Sequence, residues 1–322
     1  MLGLVVKVLI TCGLLYALHK QVLQSGDFST LLQEIIGGMT LREYGLLVFA
    51  TLLMPVNLVL EALKFNLLLN DLPHLKALTL RTGLRRVLAG LSVGIMTPNR
   101  VGEYAGRMAG ALPGERSSIV SATLLGGIAQ WIPLLVGGGL AALSFYSTST
   151  LQGAWLAPVL WASLLVLTCF GVSYLYLPAA IRLLTKLPLL ARLAERLETQ
   201  SQFSGSARGG ALGFAIARYS IYLTQLSLAF AAFGMDIAAF ELVAGTAILL
   251  LAQAFIPLPS VVQALARTEL AVLIWSAASP NVLGLGAASL FIFVLNLGLP
   301  ALVGLVIILR TDVKRSLLKT AT

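Results

Sequence analysis

The sequence predicts an all-α polytopic membrane protein, with about six full spans and two broken, re-entrant helical hairpins arranged as an inverted repeat. Three observations predict it. Of 322 residues, 58% are hydrophobic and only 11% charged, with mean hydropathy +0.93, a composition that belongs to chains lying mostly in lipid. The formal charge of +9 is carried by Lys and Arg in short connections between apolar runs. That asymmetry orients membrane spans with basic loops in the cytoplasm, and it argues for a membrane rather than a nucleic-acid partner. Finally, two apolar runs stop at prolines about halfway across a bilayer and resume as polar helix.

Residues 2–18 form the first span. Lys7 lies inside its apolar run and no small-residue cleavage pattern precedes His19, so it reads as an uncleaved span. Residues 21–42 make an amphipathic outer connection, and 44–69 the second span. The second span is interrupted by Pro55, Asn57, Glu61 and Lys64. Asn57, Glu61 and Lys64 share one helical face, which must look into protein. Residues 71–86, with Lys76, Arg81, Arg85 and Arg86 against one acid, read as a cytoplasmic loop.

The chain is organised around 87–110. From Val87 to Met96 it is apolar, reaching about 15 Å at ~1.5 Å per residue, half a hydrocarbon core. Thr97-Pro98-Asn99 then carries a helix-start signature inside the membrane. The expected second helix puts Arg100, Glu103 and Arg107 on one face. The early return to charge at Glu115 and Arg116 brings the segment back to the cytoplasmic side. Ionisable groups on a broken helix at this depth are tolerated only where they are buried in protein or line a watery cavity.

Residues 117–146 form a glycine-rich span with a tilt or kink at Pro133. Its glycines lack the Lys-Ser/Thr of a phosphate loop and serve close helix approach. Residues 147–153 face out, 155–177 span again between Trp155, Trp161, Tyr174 and Tyr176, and 178–208 form a basic cytoplasmic connection. The span at 209–233 carries Arg218 near its cytoplasmic end. An apolar run at 243–256 then stops at Pro257 and Pro259, and a helix resumes with Ser260, Gln263, Arg267 and Glu269. The spacing of Ser260, Gln263 and Arg267 repeats that of Arg100, Glu103 and Arg107. The last span, 284–309, leads to a basic tail, so both termini are cytoplasmic. Counted by side, 44–146 and 209–309 cross in opposite senses. Such halves, each with a proline-broken segment, point to a midplane site of the kind secondary transporters use.

Asn57 through Lys64, Gly94, and the run Thr97-Pro98-Asn99-Arg100-Val101-Gly102-Glu103 resemble the membrane domain of the lysylphosphatidylglycerol synthase, or flippase-like, family. Thr97, Pro98, Arg100, Gly102 and Glu103 match that family's middle motif, with Asn99 where it has Gly. Pro257, Pro259 and Glu269 correspond to its third motif, with 260–263 in place of glycines. The resemblance implies a domain that moves a phospholipid between leaflets. The soluble synthase domain is not expected in this chain, nor is aminoacyl transfer from tRNA.

The candidate substrate contacts are Asn57, Glu61, Lys64, Thr97, Asn99, Arg100, Glu103, Arg107, Gln263, Arg267 and Glu269. A buried ion-pair lock is the competing reading for Arg100, Glu103 and Arg107. Each charge at the bilayer centre costs at least ~2.5 kcal/mol on insertion scales, which makes a purely structural lock expensive. Arginine suits phosphate because its fork binds two oxygens, and a helix N-terminus at Pro98 adds attraction for an anion. Both broken ends free backbone groups that hydrocarbon leaves unsatisfied, so a shared cavity is expected, with Arg100, Glu103 and Arg107 facing Gln263 and Arg267.

The expected function is a lipid flippase or scramblase of the inner membrane, acting on a phospholipid or a polyprenyl-phosphate-linked lipid. Two alternatives stand beside it: a non-transporting membrane partner of a lipid or glycan biosynthesis enzyme, and an intramembrane lipid-modifying enzyme. Gln130 and Asn296 read as interhelical hydrogen bonds, and Cys12 and Cys169 as small buried hydrophobes. No Ser-His-Asp arrangement or P-loop is present, and His19 and His74 lack partners at ligand spacing, so neither catalysis nor a metal or other cofactor is expected.

Overall fold

The computed structural model describes residues 37–73, 75, 77–95, 97, 100–148, 156–175, 203–256, 258, 260–275 and 281–320. The first predicted span, Pro98, Asn99, Pro257, Pro259 and most of the basic connection at 178–208 lie outside these residues. Among the described residues every regular element is helical: α1 Leu41–Asn70, α2 Leu80–Gly94, α3 Gly102–Arg107, α4 Arg116–Thr148, α5 Leu156–Leu175, α6 Gly205–Ala232, α7 Ala239–Ala254, α8 Ser260–Ile274, α9 Val282–Phe293 and α10 Leu299–Thr320. A 3-10 turn, Pro113–Glu115, precedes α4, and a π-helical turn, Val294–Gly298, joins α9 to α10. Among the described residues three stretches are long and apolar enough to cross a bilayer: Leu41–Asn70, Arg116–Ser144 and Val282–Arg310. The protein is a helical membrane protein.

In lipid, apolar packing is not driven by water, so helices associate where small residues let backbones approach. The α1–α6 pair illustrates this. Ala207, Ala211 and Ala215 recur every fourth residue on α6 and are buried against its neighbours, and α1 lies along it. The two helices are antiparallel. Asp71, at the end of α1, accepts from the backbone N–H and the hydroxyl of Ser204, the N-cap of α6, both at 2.7 Å. Near their other ends Gln225 donates to the Ala50 carbonyl at 2.8 Å.

Helix α2 begins at Leu80, seven residues before the apolar run predicted to start the broken segment. Thr79 caps it, accepting from the Thr82 N–H at 3.4 Å, while Asn66 holds the Thr79 carbonyl and Asn70 the Leu78 N–H. Arg81, Arg85 and Arg86 therefore stand on helix rather than in a loop, and Arg86 pairs with Glu115 at 2.9 Å. Helices α2 and α3 form a hairpin packed backbone to backbone. A Cβ on Gly102 would meet the Val93 carbonyl, and one on Gly106 the Ala89 carbonyl. Facing them, Gly90 leaves room for the Arg107 side chain and Gly94 for Glu103. Helix α10 then lies on the outside of α2, where Gly304 touches the Leu88 carbonyl and Ser92 donates to the Ala301 carbonyl at 2.6 Å. Helix α7 is covered in the same manner by α4, whose Gly138 meets Ala247 and Leu251.

Buried apolar side chains gather in two cores. One lies among α1, α2, the first half of α4 and the first half of α6; the other among α7, α8, α9 and the second halves of α4 and α6. Helices α4 and α6 pass from one core to the other. Where they do so they carry Gln130 and Arg218, and the functional geometry lies there. Cys169, expected to be buried, is exposed on α5, because a small apolar side chain facing lipid needs no protein cover.

Candidate functional site

Between the two cores lies a cavity of about 330 Å³ lined by every major element except α5 and α10. Asn57, Glu61, Arg100, Glu103 and Arg107 line it from one side and Gln263 and Arg267 from the other, so the two broken segments share one polar interior as expected. Three further candidates stand outside the lining. Lys64 turns behind the cavity to Gly126 and Gln130 on α4. Thr97 pins the break itself, donating to the Gly94 carbonyl at 3.0 Å and accepting from the Gly102 N–H at 2.8 Å. Glu269 sits two positions past Arg267, on another face of α8. Asn99 lies outside the described residues.

Arg100 does not lie on an α-helix; it ends a 3-10 turn, its N–H donating to the Thr97 carbonyl at 3.1 Å. Its φ of +57° places it in the left-handed region, rare for a residue with a side chain and found most often where a functional geometry is imposed. Helix α3 therefore starts at Gly102 and is six residues long, too short for its N-terminus to act as an anion site. Arg100 still reaches Glu103, at 2.5 Å, and its side chain is 40% exposed against 6% for Arg107. The two arginines thus differ in kind: one is open to the cavity, the other locked.

Glu61 is the electrostatic centre of the site. Its carboxylate accepts from Lys64 at 2.8 Å, from Arg107 at 2.6 Å and from Arg218, while Arg107 also reaches Glu103 at 3.2 Å and lies 5.1 Å over the Phe65 ring. Arg218 extends the network across the molecule, donating from Nε to Asn57 at 2.8 Å and from Nη1 to Gln130 at 3.1 Å. The sequence placed Arg218 near the end of its span. With α6 running Gly205–Ala232, it stands about 20 Å along the helix at ~1.5 Å per residue, near the helix midpoint.

The second half of the site is built from neutral partners. Arg267 donates to Gln253 Oε1 at 3.1 Å, the Tyr222 hydroxyl at 2.9 Å and the Ser289 carbonyl at 3.5 Å. Among the described residues no carboxylate lies within ion-pair distance of it. Asn296, read as an interhelical bond, lines the cavity from the π turn, a helix irregularity frequent at functional sites. Its sequence signal is Pro300, which has no N–H to give the Asn296 carbonyl; the chain instead bonds Leu299 N–H to the Val294 carbonyl. Tyr222 and Gln253 had no comparable signal.

Among the described residues no group of three His, Cys, Asp or Glu side chains has metal-holding geometry. Comparison with family models, curated proteins and solved structures finds no match to this chain.

Proposed function

We propose that this protein is a lipid flippase or scramblase of the inner membrane that takes a phosphate-bearing headgroup into the cavity between its two broken helices, without itself being an enzyme. The observation that carries this reading is the convergence on one buried cavity of Arg100, Arg107, Arg218 and Arg267. Guanidinium groups match phosphate oxygens two at a time, and cations at depth mark substrate pathways in membrane proteins. The lipid would be a phospholipid or a polyprenyl-phosphate-linked lipid.

Two inverted halves, 44–146 and 209–309, complete the proposal, and the pairing of side chains supports them. Asn57, Glu61 and Lys64 on α1 stand at the same intervals as Arg218, Tyr222 and Gln225 on the antiparallel α6. Arg107 of the first hairpin bonds Glu61; Arg267 of the second bonds Tyr222, the corresponding residue. Gln130 precedes Gly138 by the same number of residues as Asn296 precedes Gly304, and both glycines seat their helices on the first arm of a broken hairpin. An inverted pair of halves gives a cavity that rocking of one half can open to either leaflet. With cytoplasmic termini, a single cysteine introduced at Ser149 is expected to label only from outside and one at Lys186 only from the cytoplasm. Labelling of both from one side would remove the inverted repeat.

Function is tested in liposomes holding the purified protein and a fluorescent phospholipid, with a membrane-impermeant quencher reading headgroup movement. The native protein is expected to expose inner-leaflet lipid. Arg100→Ala is expected to lower the rate by at least about tenfold, as for removal of a charged group contacting ligand, while the protein stays monodisperse, because Arg100 is 40% exposed and, among the described residues, ion-paired only to Glu103. Unchanged movement in this variant would refute the headgroup role. Binding without movement in the native protein would favour the non-transporting partner, and a chemically altered lipid the modifying enzyme.

A further inference from the structure

We infer that the lipid taken by this cavity ends in a phosphomonoester or diphosphate, rather than in a phosphodiester or an amine-bearing headgroup. The inference rests on the reading of the cavity as a headgroup site and narrows it. Four arginines line the cavity against two glutamates, and Lys64 shares the Glu61 carboxylate from behind the lining, so the formal excess is at least two positive charges. In a low-dielectric interior an uncompensated charge is costly, so the complementary ligand brings about two negative charges, as a terminal phosphate does. A phosphodiester brings one.

The hydrogen-bond ledger agrees. Both lining carboxylates are committed, Glu61 to Lys64, Arg107 and Arg218, and Glu103 to Arg100 and Arg107. An amine entering here would have to share these oxygens with buried cations already paired to them. The buried lining atoms without a hydrogen-bond partner are the donors Arg100 Nε, Arg107 Nε and Asn296 Nδ2, the Tyr219 hydroxyl, and Glu103 Oε1, which stands 2.5 Å from Arg100 as an ion pair. Arg267 adds to the donors. Three of its roughly five N–H groups are spent on neutral oxygens, which leaves about two for an anion. A site with more spare donors than spare acceptors fits a group made of acceptor oxygens.

Native mass spectrometry of the purified protein in detergent tests this, titrating phosphatidic acid, phosphatidylglycerol and lysylphosphatidylglycerol of identical acyl chains, with inorganic phosphate as the headgroup alone. Phosphatidic acid is expected to bind at least about tenfold more tightly than either other lipid, and inorganic phosphate far more weakly than phosphatidic acid. Arg267→Gln is expected to bring phosphatidic acid down to the level of phosphatidylglycerol. Its removal strands no carboxylate, so the fold should hold. Gln253→Glu leaves the arginine in place and neutralises it at 3.1 Å. This second variant is expected to abolish the preference while keeping phosphatidylglycerol binding, a result that mere loss of structure does not give. Equal binding of phosphatidic acid and phosphatidylglycerol, or tightest binding of the lysyl lipid, overturns this inference and leaves the headgroup site standing. Inorganic phosphate binding as tightly as phosphatidic acid overturns the lipid as its source. No binding of any lipid overturns both readings.

Discussion

Glu61→Ala is expected to destabilise the protein by about 3 to 5 kcal/mol, the range found when one partner of a buried ion pair is removed. The effect should exceed that of any other single charge substitution in the site. Glu61 is 6% exposed and is the carboxylate to which Lys64, Arg107 and Arg218 all donate. Without it three cations from two helices and the broken hairpin face one another in a low-dielectric interior, where repulsion is little screened. Thermal melting in detergent, followed by size exclusion, should show a large fall in Tm and loss of the monodisperse species. Adding Lys64→Met and Arg218→Met is expected to restore much of the stability, since a buried ionic cluster replaced by apolar groups of similar volume is often neutral. A Glu61→Ala protein that melts like the native one would mean that the three cations are held by something else. The contrast with Arg100→Ala tests two proposed uses of charge: Glu61 as the lock between helices, Arg100 as the group that meets the ligand.

That division was only half legible in the sequence. The i, i+4, i+7 spacing of Asn57, Glu61 and Lys64 on an apolar span required a protein-facing polar stripe, and the prolines ending two short apolar runs required two broken helices. Both features are local, so the sequence could carry them. The place of Arg218 midway along its helix was not local. It depends on where α6 begins, and Asp71 sets that start by capping it through Ser204, 133 residues away. The left-handed conformation of Arg100 was equally hidden, because a residue with a side chain gives no sign that tertiary contacts will force it to φ +57°. Reading Arg100 onto a helical face put it in the right cavity for the wrong reason: the turn pinned by Thr97, not helix periodicity, brings it to Glu103. Lys64 shows the opposite error. It lies on the predicted face, but its long stem carries the ammonium past the cavity to the Gly126 carbonyl on α4 at 3.2 Å.

Gly106→Val is expected to lower both stability and transport sharply, through backbone rather than charge. Gly102 and Gly106 lie one turn apart on α3, and the carbonyls of Val93 and Ala89 on α2 stand where their side chains would be. Backbone atoms there have nowhere to retreat, because the outer side of α2 is occupied by α10, whose Gly304 touches the Leu88 carbonyl. A branched side chain at 106 must therefore push α3 away from α2, and overpacking of this kind costs about 1 to 3 kcal/mol or more. The displacement has a second consequence. Arg107 is the next residue, and its 2.6 Å contact with Glu61 and 3.2 Å contact with Glu103 leave little slack for a hairpin that has opened. Broken pairing then adds the cost of stranded buried charge to that of the clash. Melting temperature and liposomal lipid movement should fall together in Gly106→Val. In Gly114→Val, where a Cβ would meet nothing within 4 Å, both should stay near native values. If Gly106→Val melted normally but failed to move lipid, the hairpin would be a moving part rather than a fixed wall, and the close seat of α3 on α2 would belong to one state of a transport cycle.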